Sequence, residues 1–92
     1  MPGAHALTAK DKPGALDVRL SNREAHVAYL KSSDAVKMAG PFLNEAGEMC
    51  GSLIVLEFDT LAEAEAWAAK DPYKLADLFE SSDIQHWNKV FG

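Results

Sequence analysis

Cysteine is almost absent from this chain of 92 residues: Cys50 stands alone. An intramolecular disulfide framework is therefore excluded, and with it the small secreted scaffolds stapled by bridges. Basic residues are scarce too, with 9 Lys and Arg against 14 Asp and Glu and a net charge of -5. A surface of that sign repels phosphate backbones, which disfavours a general partner among nucleic acids or anionic membranes. Long apolar runs are missing. The uncharged stretch that ends at Leu56 falls far short of the roughly 20 residues a membrane span needs. The N-terminal Met-Pro-Gly-Ala-His shows no basic region leading into an apolar one, so no secretory signal is read there. Together these absences lead us to expect a soluble, cytoplasmic protein.

What is present reads as one domain over residues 1–92. Hydrophobic residues make up 48% and charged residues 25%, the balance of an ordinary globular chain. No repeat or low-complexity linker divides it. A short first strand is expected over Ala4–Lys10, closed by Pro13 and Gly14. Helical spacing follows from Leu16 to about Lys31, with Leu16, Leu20, Val27 and Leu30 on one stripe that Arg23 interrupts. Val36–Leu43 and Gly51–Phe58 read as two strands joined by polar turn residues from Asn44. Thr60-x-x-Glu63 is a capping box for a second helix running to about Lys70. Asp71-Pro72 then starts a short helix through about Leu78, and Ile84–Phe91 reads as the last strand.

The order strand, helix, strand, strand, helix, strand predicts a ferredoxin-like α+β fold: a four-stranded antiparallel sheet with helices on one face. Within Gly51–Phe58 both alternating sets are apolar, Ile54, Leu56 and Phe58 on one side, Leu53 and Val55 on the other. Helices cover only one of those sides. A homodimer packed sheet against sheet is the expected way to cover the second.

Residues able to carry chemistry gather on the first helix. At about 100° per residue, Arg19, Arg23 and His26 share a face that overlaps the apolar stripe. Guanidinium forks suit anionic ligands, and cations beside an imidazole favour the neutral form a general base needs. The plainer alternative is a basic surface stripe paired with the excess acids. Asp71 is equally double: as a helix cap it needs no catalytic role, yet its carboxylate could orient a histidine. His5 and His86 fall on strands that should pair, but two histidines with no acidic third ligand are a weak metal signal. Cys50 lacks the basic neighbours that activate a thiolate. Trp67 and Trp87 read as packing anchors. No Gly-rich phosphate loop, nucleophile elbow or cofactor motif occurs, so no cofactor is expected.

The run Arg19-Leu20-Ser21-Asn22-Arg23-Glu24-Ala25-His26-Val27-Ala28-Tyr29-Leu30 resembles the first-helix signature of the YciI (YCII-related) family. Ala39-Gly40-Pro41, Gly51-Ser52, Ala69-Lys70-Asp71-Pro72-Tyr73 and Asn88-Lys89-Val90-Phe91 follow in the family's order. The resemblance spans nearly the whole chain. It implies a dimeric α/β-barrel of ferredoxin-like subunits and a His-Asp active-site pair, which falls here on His26 and Asp71. Arg23 matches the family's arginine before the histidine, Arg19 fits the same helix pattern, and Ser52 matches a position directed at the same cavity. Tyr73, which completes the Asp-Pro-Tyr match, joins Arg19, Arg23 and Ser52 as a substrate-binding candidate. By analogy with a relative that eliminates HCl from a chlorinated hydroxyquinol, the resemblance implies lyase or isomerase chemistry on a small anionic or hydroxylated ring. Two departures stand out: His5-Ala6-Leu7-Thr8-Ala9 is less apolar than the family's usual first strand, and the hairpin from Asn44 to Cys50 is shorter. A protein that binds a small ligand without turning it over, or a non-catalytic accessory protein, is the rival expectation.

Overall fold

Alternation along the first strand decides which side of the sheet is covered. The computed structural model describes residues 3–92; Met1 and Pro2, part of the stretch read for a secretory signal, lie outside the described residues. In β1 (Gly3–Asp11), His5, Leu7, Ala9 and Asp11 are buried while Thr8 and Lys10 are exposed. The elements that follow are α1 (Leu16–Lys31), β2 (Val36–Leu43), β3 (Met49–Phe58), α2 (Leu61–Ala69), α3 (Pro72–Leu75) and β4 (Phe79–Trp87). The strands form one antiparallel sheet in the order β2-β3-β1-β4, so the ferredoxin-like arrangement expected from the element order is the fold observed.

Register sets the core. His5, Leu7 and Ala9 lie opposite Leu56, Ile54 and Ser52, so all six share the helix-covered face. Leu7, Ala9, Ile54 and Leu56 pack there with Ala64 and Trp67 of α2. The capping box holds α2 in place: the Thr60 hydroxyl accepts from the Glu63 amide at 3.2 Å. On the opposite face the same register collects Leu53 and Val55 of β3, Met38 and Phe42 of β2, and Trp87 of β4. Met38 and Phe42 remain 52% and 43% exposed there. No helix among the described residues is long and apolar enough to cross a membrane.

Two stretches of the chain differ from the sequence expectations, the one after Asp71 and α1. The short helix stops at Leu75, not Leu78, and β4 runs over Phe79–Trp87 instead of Ile84–Phe91. The helix ends in a Schellman turn: the Asp77 amide donates to the Lys74 carbonyl and the Leu78 amide to the Tyr73 carbonyl. Asp77 takes the left-handed conformation (φ 58) that a glycine usually marks, so no glycine signals the stop. At the far end Trp87 pairs with Ala4, and β1 begins one residue before that. Among the described residues Val90 and Phe91 pair with no strand, and they are almost fully exposed. The second correction concerns α1. Leu20 is 52% exposed, whereas Arg19 and His26 are 2% and 7% exposed. The fully buried side chains of this helix are polar, because carboxylates wait for both, while Tyr29 and Leu30 near its end pack against the core.

Candidate functional site

Asp71 ends the α2–α3 connection as the N-cap of α3, with Pro72 at the first helical position. One of its oxygens, Oδ1, accepts the Tyr73 amide at 2.9 Å and also meets His26 Nδ1 at 2.8 Å. An ionised carboxylate offers only acceptors, so His26 donates to it through Nδ1, and in the neutral imidazole that tautomer keeps the lone pair on Nε2. Cap and histidine partner are thus one carboxylate in two uses; the alternatives the sequence left open do not compete. The Tyr73 ring stacks on the imidazole with centroids 3.8 Å apart and planes 15° from parallel. Asp71, at 2% exposure, is shielded from competing water.

Nearly two turns toward the start of α1, Arg19 meets a second carboxylate. Its Nε and Nη2 donate to Asp11 Oδ2 and Oδ1 at 2.7 and 2.8 Å, and Nη2 also donates to Ser52 Oγ at 2.9 Å. The guanidinium carbon sits 4.7 Å from the Tyr73 ring centroid. Burial alone would weaken the Arg19 charge, but the hydrogen bond and charge of Asp11 outweigh it and raise the guanidinium pKa above its ordinary value. Burial pushes the Tyr73 phenol up as well, against the opposing pull of the nearby Arg19 charge. Tyr73 is a neutral phenol at physiological pH.

These groups open on a cleft of about 130 Å³ between α1, α3 and the β2–β3 side of the sheet. Arg23, His26, Ser52 and Tyr73 supply its polar wall, with Pro41 and Ile54 among the apolar residues lining it. Every site residue expected from the sequence is in this neighbourhood: Arg19, Arg23, His26, Ser52 and Tyr73 line the cleft, and Asp71 stands behind His26. Arg23 is the exposed cation of the set, while Arg19 is already bonded to protein groups. Asp11 was missed. The signal was there in the period-two pattern His5, Leu7, Ala9, Asp11, which puts a carboxylate on the covered face at the end of β1. His5 and His86 do face each other, with ring centroids 5.3 Å apart. Among the described residues, no group of three or more His, Cys, Asp or Glu side chains is placed to hold a metal ion. Cys50 is not among the residues that line the cleft.

A family model for the YCII-related domain matches residues 4–88. The chain belongs to the YCII-related family. Protein YciI of Escherichia coli is 35% identical to it, covering 95% of this chain and 98% of its own. An uncharacterized protein of Haemophilus influenzae is also 35% identical over the same shares. Among solved structures, 5-chloro-2-hydroxyhydroquinone dehydrochlorinase (TftG) of Burkholderia phenoliruptrix, in complex with 2,5-dihydroxybenzoquinone, superposes with a TM-score of 0.86 at 30% identity, covering 95% of each chain. An antibiotic biosynthesis monooxygenase superposes with a TM-score of 0.60 at 12% identity, covering 98% of this chain and 99% of its own, and shares the fold alone. For this YCII-related chain, family and fold agree with what its element order and motifs predict.

Proposed function

We propose that this cleft carries out proton transfer on a small anionic or hydroxylated ring, as a lyase or isomerase that needs no cofactor. His26 acts as general base through Nε2 and returns the proton as general acid. Asp71 fixes the tautomer and stabilises the imidazolium that forms. Arg23 and Ser52 hold the substrate's oxygens, and the neutral Tyr73 ring walls the cleft beside the imidazole. The observation that carries this reading is the 2.8 Å contact of His26 Nδ1 with the buried Asp71, because it leaves the basic nitrogen for the cleft. The dehydrochlorinase likeness supports the substrate class: abstraction of a ring or hydroxyl proton with loss of chloride is a step these groups can serve.

The protein acts as a homodimer packed through the Met38, Phe42, Leu53 and Val55 sheet face, where Met38 and Phe42 stay exposed in the single subunit. Its lone free cysteine suits the reducing cytoplasm. Chloride release and product absorbance with 5-chloro-2-hydroxyhydroquinone, followed by a panel of small hydroxylated rings, test the function. Turnover should fall roughly 10²–10⁴-fold in His26→Ala. If the wild type binds 2,5-dihydroxybenzoquinone but turns over no member of the panel, and His26→Ala binds as well, the protein is a ligand carrier and the enzyme reading fails.

A further inference from the structure

The Asp11–Arg19 pair has no place in the chemistry above, yet it is almost wholly buried, at 8% and 2% exposure. Stability is a poor reason for it. An apolar pair of similar volume generally serves a core as well as a buried ion pair or better, because both charges lose their hydration. What the pair does do is reach the cleft at two points. Arg19 Nη2 donates to Ser52 Oγ at 2.9 Å, and the guanidinium lies against the Tyr73 ring that stacks on His26.

A serine hydroxyl has one proton to give and two lone pairs to accept with. Once Arg19 donates to it, the hydroxyl turns its own proton away from the guanidinium. We infer that Asp11 is a positioning residue: it clamps Arg19 with two parallel hydrogen bonds, and Arg19 in turn fixes Ser52 as a hydrogen-bond donor to a ligand oxygen and holds the Tyr73 ring against His26. The inference rests on the proton-transfer reading of the same cleft and extends it to a residue outside the cleft wall. It also reassigns Arg19. This arginine orients the groups that bind, and Arg23 is the one that meets the ligand's charge.

The double variant Asp11→Leu/Arg19→Met separates positioning from stability. It removes both charges together, so no ion is left buried alone. Three quantities are read: thermal stability, the ring-proton NMR shifts of His26 without ligand, and affinity for 2,5-dihydroxybenzoquinone by calorimetry. Stacking under Tyr73 moves the His26 ring protons upfield, and Tyr73→Leu supplies the unstacked reference. The double variant should melt no lower than wild type, lose most of that upfield shift, and bind the quinone at least about tenfold more weakly. Wild-type His26 shifts and wild-type affinity in a stable double variant would overturn the inference. Should the double variant fail to fold, Asp11→Asn, which keeps shape and loses charge, is judged on the same two site readouts. If the wild type does not bind the quinone, the function proposed for the cleft loses its support, while the ligand-free His26 shifts still decide the role of Asp11.

Discussion

At the residue scale, the site reduces to two carboxylates meeting two side chains of one helix. Asp71 takes His26 and Asp11 takes Arg19, seven residues apart on α1 and so nearly in line. The first pair was legible in the sequence through the helix face and the Asp-Pro-Tyr match. Arg19 on that face was legible too, but its partner was not, since Asp11 sits between two lysines and reads as one charge in a polar run. Asp71→Asn should separate cap from catalysis. Asparagine caps a helix about as well as aspartate, so stability should change by under about 1 kcal/mol. Turnover should nevertheless fall roughly 10²–10⁴-fold: the Oδ1 of asparagine can still accept from both the Tyr73 amide and Nδ1, but a neutral amide does not stabilise the imidazolium that forms. Steady-state kinetics beside urea melts check both. Tyr73 gives a prediction in pH. Burial raises its pKa above the ordinary 10.0, so in strong alkali the unfolded chain gives up this proton before the folded one does. The stabilising contribution is complete below about pH 10 and is lost as pH climbs from there through the raised value. Urea melts above pH 10 should therefore show a steeper loss for wild type than for Tyr73→Phe.

At the scale of elements, the strands and helices that carry a clear period or cap were found close to their true ends. Val36–Leu43, Leu16–Lys31 and the Thr60 cap fall where the sequence places them. The last strand was not, for a physical reason. It is an edge strand whose first half, Glu80-Ser81-Ser82-Asp83, is polar and mostly solvent-facing, so no hydrophobic alternation announces it. Its true start is fixed by Leu78, wholly buried after the left-handed Asp77, a cue that exists only in three dimensions. Closer to the site, Gly51 matters for strand approach. A Cβ there would run into the carbonyl oxygen of Ala9, backbone that cannot swing aside. Gly51→Ala should cost about 1–3 kcal/mol and displace the neighbouring Ser52 from Arg19. Chemical denaturation gives the first effect and loss of quinone affinity the second. An alanine tolerated at wild-type stability would show that β1 and β3 are not held this close.

For the molecule as a whole, the fold was the most legible property and the apolar character of the β3 face away from the helices the next. Apolar residues at Leu53 and Val55, read from alternation alone, do lie on the face away from the helices. Which residues of β2 join them was not readable, because the register shift between Val36 and Met38 resets the alternation. Sedimentation equilibrium at micromolar concentration should give a dimer, and Met38→Glu should shift it toward monomer by placing a charge on that face. A wild-type monomer would contradict the sheet-to-sheet arrangement. The proposed function requires a basic His26 Nε2, backed by Asp71, presented to a small ligand in the cleft. Nitrogen NMR of His26, with and without 2,5-dihydroxybenzoquinone, tests it most directly. The expected result is a proton held on Nδ1 in the free protein and a large change at Nε2 as the quinone saturates. A proton on Nε2 in the free protein, or an Nε2 signal indifferent to a saturating ligand, would contradict the claim.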